Sequence, residues 1–165
     1  MNLPWTPWRA SLPLLVTAVA QAQPTLAPPA GTCSMPMLLM AWNKPAMSIA
    51  PVAERRAADL AGSVGQPYRV SLSRCNSAWC EPASHAAMVK IDVPQGGRWR
   101  VALDTMLWID VWNGDTKLTG VLCEHHGCQP LRKIVQYDLQ PGAHWVVLLG
   151  KAAGESGVLV TRVSD

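Results

Sequence analysis

The fold is indicated most clearly by residues 98–139, RWRVALDTMLWIDVWNGDTKLTGVLCEHHGCQPLRKIVQYDL. Apolar and polar residues alternate along much of it, which is the period of a half-buried β-strand. Asn113-Gly114 interrupts the alternation, and both residues accept the positive φ of a two-residue hairpin turn. The stretch therefore predicts a strand, a β-hairpin whose second strand is residues 116–122, and a returning strand. The expected inward residues are Trp99, Val101, Leu103, Leu107, Ile109, Val111, Val135, Tyr137 and Leu139.

Further alternating runs lie on both sides of this stretch. They are residues 68–72, 89–93, 145–149 and 158–163. Turn residues such as Pro141-Gly142 separate the runs, and helix-forming sequence is scarce. Short strands at this spacing are typical of an all-β antiparallel β-sandwich, here jelly-roll-like with about eight strands.

The outward residues of the hairpin include Trp108, Asp110 and Trp112. We expect most of the tryptophans to be core or half-buried strand residues and not a ligand platform. Asp110 is expected to form a buried or edge ion pair with Arg132 and Lys133 between neighbouring strands, and Asp104 or Asp138 could take its place. Each such pair would contribute under about 1 kcal/mol.

The first 22 residues resemble a secretory signal. Arg9 precedes an apolar run over residues 12–20, and Ala20-Gln21-Ala22 fits a small-x-small cleavage site before Gln23. A membrane anchor is the alternative, but the run is about half of the roughly 20 residues that span a bilayer. We therefore predict cleavage of residues 1–22 and a periplasmic or secreted protein without a membrane span.

Residues 23–61 are expected to lie outside the sandwich, which takes residues 62–165. Prolines make residues 23–32 a mobile linker. Residues 34–47 are rich in methionine, which either packs an arm against the sheet or offers thioether ligands to Cu(I). Residues 51–61 have the composition of a short helix.

Charge and motifs exclude several classes of function. The chain of 165 residues has a formal net charge of +3, and no Lys/Arg run is longer than Arg55-Arg56. Nucleic-acid binding therefore has no electrostatic basis. The sequence has no Gly-x-Ser-x-Gly elbow, no His-Glu-x-x-His and no phosphate loop, and His85 and His144 are isolated. We predict that the protein is not an enzyme.

Five cysteines in an exported chain predict disulfide bonds. Cys75 and Cys80 enclose four residues, and so do Cys123 and Cys128, so each pair could form a local bridge. Cross-pairing is also open, because four cysteines allow three connectivities. Cys33 is then left over or tethers the N-terminal arm.

The second of these cysteine pairs encloses two histidines. Cys123, His125, His126 and Cys128 together offer thiolate and imidazole ligands that suit copper or zinc. Oxidation opposes this site, since a disulfide sulfur is a poor ligand. We therefore expect no cofactor, with a copper or zinc site as the alternative.

The motifs Trp108-Ile-Asp110, Arg132-Lys133-Ile134 and Pro141-Gly142 resemble those of small exported bacterial proteins of unassigned function. More loosely, residues 66–163 are similar to the bacterial pre-peptidase C-terminal β-sandwich domain. The resemblance implies a jelly-roll-like sandwich with a non-catalytic accessory role. In that group the loop before the Arg-Lys pair is rich in histidine and carries one cysteine, whereas this chain has two.

The expected function is that of an exported, non-catalytic binding or accessory module stabilised by disulfides. Its partner would be a protein or a glycan. The alternative is a periplasmic copper- or zinc-binding protein that uses the loop from Cys123 to Cys128.

Overall fold

The computed structural model of the protein describes residues 33–49, 61–76, 80, 84–125 and 127–163. These residues form one helix and eleven strands: α1 Pro36–Trp42, β1 Met47–Ile49, β2 Ala61–Ser63, β3 Tyr68–Arg74, β4 His85–Val93, β5 Gly97–Leu103, β6 Trp108–Asn113, β7 Thr116–Leu118, β8 Val121–Leu122, β9 Lys133–Leu139, β10 Gly142–Gly150 and β11 Gly154–Arg162. The predicted signal and linker lie outside the described residues. So does the predicted helix, except that its last residue, Ala61, begins β2.

The strands form one curled sheet in the order β7-β6-β10-β4-β3-β11-β5-β9-β8. All pairings along this order are antiparallel, while the short strands β1 and β2 pair in parallel with β3 and β4. The predicted all-β antiparallel class is confirmed. More strands form than the eight expected, because β1 and β2 are added and residues 116–122 divide into two strands.

Strand β3 is where the sheet bends. Residues 68–72 pair with β11, whereas Ser73 and Arg74 pair with β4. The bend brings the inner faces of both halves of the sheet into one buried cluster. This cluster contains every inward residue predicted from residues 98–139, except that Leu107 is only partly buried. The inner-face positions on β3, β4, β10 and β11 complete the core.

The predicted hairpin forms at Asn113-Gly114. Gly114 has φ +56°, and Asn113 lies opposite Thr116 in the β6–β7 pair. The predicted pairing of the whole of residues 116–122 with β6 is wrong. β7 pairs with β6, but β8 pairs with β9 at the other end of the sheet.

Gly120 allows this segment to change partner. A Cβ atom at Gly120 would lie 2.5 Å from Cε1 of Tyr137 and 2.6 Å from Cγ1 of Val135. The backbone between β7 and β8 therefore passes directly over the Tyr137 ring, at a distance that only glycine allows. Residues 116–122 thus connect the two edges of the sheet.

Helix α1 covers the outer face of β5, β9 and β11. Its buried Leu38 packs in a second cluster with Ala102, Ile134 and Leu159. The proline at the first helical position suits a helix start, since its missing N–H has no intrahelical partner there. The Met-rich segment is thus partly helical. Its Met35 packs against the cluster, whereas Met37, Met40 and Met47 are exposed.

Candidate functional site

A cleft of about 570 Å³ lies between β6 and the pair β8–β9. Its walls are residues 108–110 of β6, residues 117–120 and 122 of the β7–β8 segment, and three side chains of β9. The volume falls in the range of roughly 300–1,000 Å³ that is usual for small-molecule sites. The cleft exists because β7 pairs with only the last part of β6, residues 111–113, before the chain moves to β9.

Two side chains of β9 bridge the gap to β6. The Tyr137 hydroxyl donates a hydrogen bond to the carbonyl oxygen of Ile109 at 3.1 Å. The Lys133 ammonium donates to the carbonyl oxygen of Leu107 at 2.9 Å. These bonds satisfy carbonyl groups on the edge of β6 that β7 does not reach. They hold the two edges at a fixed separation.

Trp108 stands at the mouth of the cleft and is 60% exposed. Its indole Nε1–H donates to Oδ1 of Asp110 at 2.9 Å, and the Lys133 ammonium lies 5.1 Å from the ring centroid. A hydrogen bond at the ring edge and a cation over its face together restrict the ring. Trp108 is therefore an exposed aromatic surface whose orientation is already set.

The charged groups of the cleft are unequal in number. Asp110, with 12% of its side chain exposed, forms an ion pair with Lys117 at 2.9 Å. Lys133 forms no ion pair with any carboxylate of the described residues. Burial, and secondarily the charge of Asp110, raise the pKa of Tyr137 far above the usual value, so this phenol is neutral. The cleft consequently carries one positive charge that the structure does not balance.

This geometry corrects the predicted ion pair. Asp110 contacts Lys117 and Trp108, while Lys133 binds a backbone carbonyl. The pairing differs because Lys117 projects from the neighbouring strand β7, whereas β9 lies across the cleft. Trp108 also differs from expectation, since it is largely exposed and lines a cleft.

The disulfides agree only in part with the predicted pairing. Cys75 and Cys80 form the local bridge that was predicted, with Cα atoms 6.1 Å apart. Cys128, however, bonds to Cys33, 95 residues away, and Cys123 is a free thiol. The predicted bridge between Cys123 and Cys128 is wrong. Of the two expectations for Cys33, the structure confirms that it tethers the N-terminal arm.

The local backbone explains this pairing. The Cys123 N–H donates to the carbonyl oxygen of Ile134 at 2.9 Å, which extends the β8–β9 pairing and fixes Cys123 at the end of β8. Cys128 is buried under α1 with Leu131 and Ile134. The arm that carries Cys33 packs on the same cluster, so the distant cysteine is the one that reaches Cys128.

The predicted metal ligands are not brought together as expected. The Cys128 sulfur is bonded to Cys33 and cannot serve as a thiolate ligand. The ring nitrogens of His125 lie 3.3 Å from the carbonyl oxygens of Cys123 and Leu131. His126 lies outside the described residues. Within the described ranges, no three His, Cys, Asp or Glu side chains form a group that could hold a metal ion.

The two isolated histidines both lie on strands. His144, on β10, is 1% exposed, and its Nδ1 lies 3.0 Å from the carbonyl oxygen of Gly142. Its Nε2 and the Nδ1 of His85 are buried without a hydrogen-bond partner. Neither histidine lines the cleft between β6 and β9.

Comparison with known proteins assigns no relatives: no family model matches the chain, and no curated protein matches it significantly. None of the helices in the part of the chain that the structure describes is long and apolar enough to cross a membrane.

Proposed function

We propose that this protein is an exported, non-catalytic binding module whose ligand lies in the cleft between β6 and β8–β9. The observation that carries the proposal is Trp108, an exposed indole held in one orientation at the mouth of a cleft of small-molecule size. An aromatic ring that is already ordered loses little conformational entropy when a ligand packs against it.

The lining of the cleft supports binding of an apolar group. Leu118, Leu122 and Val135 contribute aliphatic side chains, and Ile109 and Tyr137 close its inner end. Leu122 is 68% exposed, so a ligand there would remove a large aliphatic side chain from water. Apolar side chains beside a small number of polar groups are the usual composition of a small-molecule site.

The disulfides support the exported, accessory part of the proposal. Stable disulfides form in oxidising compartments, and two are present here. The predicted signal peptide and the resemblance to the pre-peptidase C-terminal domain agree with this role and remain expectations. A protein or glycan partner is compatible with the same cleft, provided that it presents an apolar surface to Trp108.

The experiment uses three probes that share an eight-carbon chain: 1-octanol, octanoate and octylammonium. Each is titrated into the ¹⁵N-labelled protein, and the indole N–H signal of Trp108, assigned from Trp108→Phe, is followed. At least one probe should shift this signal in a saturable way. Calorimetry should then show at least a tenfold loss of affinity for that probe in Trp108→Ala, which corresponds to about 1.4 kcal/mol.

Met106→Ala is the matched control for Trp108→Ala. Met106 is 67% exposed and close in sequence, but it does not line the cleft. Its replacement should leave the affinity unchanged. The proposal is rejected if no probe shifts the Trp108 signal, or if Trp108→Ala and Met106→Ala affect affinity equally.

A further inference from the structure

The cleft has one charged group without a charged partner. Of its three charged lining residues, Asp110 and Lys117 neutralise each other at 2.9 Å. Lys133 is part-buried and makes no ion pair with the carboxylates that the structure describes. A cation beside an apolar wall is less well hydrated than in bulk water, so an anion placed there gains more than it would on an open surface.

The Lys133 ammonium is positioned to receive such an anion. One of its three N–H donors is used by the carbonyl oxygen of Leu107, and this bond fixes the nitrogen at the edge of the cleft. The Trp108 ring, 5.1 Å away, restricts it from another side. The other two donors have no acceptor among the residues that the structure describes. Charge-assisted hydrogen bonds to a carboxylate are among the stronger ones that a protein forms.

The other charge types fit less well. A cationic ligand would be repelled by Lys133, and the one carboxylate of the cleft, Asp110, is already neutralised by its ion pair with Lys117. A neutral ligand would leave the Lys133 charge as it is. The charge balance therefore selects an anion.

We infer that the cleft binds a small molecule with an apolar body and a single carboxylate, the carboxylate on Lys133 and the body against Trp108 and Leu122. This inference rests on the proposed function and specifies its ligand class. A free fatty acid of medium chain length has this chemistry.

The test compares the affinities of octanoate, 1-octanol and octylammonium, measured by calorimetry at pH 7. Octanoate should bind at least tenfold more tightly than 1-octanol, and octylammonium should bind most weakly. Lys133→Met should reduce octanoate to the affinity of 1-octanol and leave 1-octanol within twofold of the wild type. Lys151→Met, at an exposed lysine outside the cleft, should change none of the three.

A second variant guards against a folding defect. Lys133→Gln removes the charge but keeps an N–H donor for the Leu107 carbonyl, so its melting temperature should stay close to that of the wild type. It should lose the preference for octanoate as Lys133→Met does. A preference that survives in both variants would overturn the assignment of Lys133.

The outcomes separate this inference from the proposed function. If octanoate and 1-octanol bind the cleft with equal affinity, the preference for a carboxylate is rejected but the proposed binding function is retained. If none of the three probes binds in the cleft, the proposed binding function and the carboxylate ligand are both rejected. A Leu-Val-Leu peptide with a free C-terminal carboxylate is also tested. If it binds tenfold more tightly than octanoate, the ligand is a peptide C-terminus and the small-molecule assignment is overturned.

Discussion

The two disulfides should differ in how much they stabilise the fold, because they close loops of very different length. Cys33–Cys128 spans 95 residues, and Cys75–Cys80 spans 5. In the chain-entropy account, a loop near 100 residues lowers the entropy of the unfolded chain enough to contribute about 4.7 kcal/mol at 25 °C. The same relation gives roughly 2 kcal/mol for the short loop. Removal of the long bridge should therefore lower the free energy of unfolding by about 2–3 kcal/mol more than removal of the short one.

Packing of the N-terminal arm limits this difference. The Cys33–Cys128 bridge lies in the cluster where Leu38 of α1 covers Ala102 and Ile134. Without the bridge, the arm that carries α1 is held to the sheet by noncovalent contacts alone. Partial detachment of this arm would occur only if it lowered the free energy of the folded variant. It would therefore reduce the loss of stability, and the estimate for the long bridge is an upper bound.

Equilibrium unfolding in urea tests this difference. The double variants Cys33→Ser/Cys128→Ser and Cys75→Ser/Cys80→Ser are compared in a Cys123→Ser background, which prevents the free thiol from forming a new bridge. Cys123→Ser alone is the control and should be near the wild type, since it removes no bridge. The reasoning is refuted if removal of the short bridge costs as much as removal of the long one.

Three further results are expected. Tyr137→Phe should lower the free energy of unfolding in urea by about 1–2 kcal/mol, since it leaves the Ile109 carbonyl without its buried donor. Because the pKa of Tyr137 is raised in the folded state, the stability that this residue contributes is complete below about pH 10 and is lost as the pH rises above that value. The wild type should therefore lose stability more steeply than the variant above about pH 10, and parallel curves would contradict this. Gly120→Ala should lower the melting temperature by an amount equivalent to about 1–3 kcal/mol, because the new methyl group overlaps the Tyr137 ring. Gly154→Ala, with open space around it, should be nearly neutral, and equal effects of the two variants would reject the close approach at Gly120. Alkylation of the unreduced protein followed by peptide mapping should label Cys123 alone, and label on Cys33 would show that the long bridge is absent.

The strand faces could be predicted from sequence because they depend on a local period. Trp99, Val101 and Leu103 are all buried, as their alternation indicated, and the turn at Asn113-Gly114 needed only the φ preferences of two residues. Such features require no knowledge of which strands are neighbours. They are determined by a few consecutive residues, and the structure confirms them.

The cysteine pairing could not be predicted in the same way, because it depends on which segments meet in space. Cys123 and Cys128 have the same spacing as Cys75 and Cys80, yet only Cys75 and Cys80 are bridged to each other. What distinguishes them is α1, whose packing brings Cys33 to Cys128. Spacing shows that a bridge is sterically allowed, but packing between distant segments decides which bridge forms.

The cleft follows from one departure from regular strand pairing. If residues 116–122 paired with β6 throughout, the edge carbonyls at Leu107 and Ile109 would bond to backbone N–H groups and no gap would remain. Because the chain crosses to β9 at Gly120, side chains of β9 must satisfy those carbonyls instead, and Tyr137 and Lys133 do so. The same departure therefore opens the site and places Lys133 in it, and Gly120 is the residue of the sequence that permits the departure.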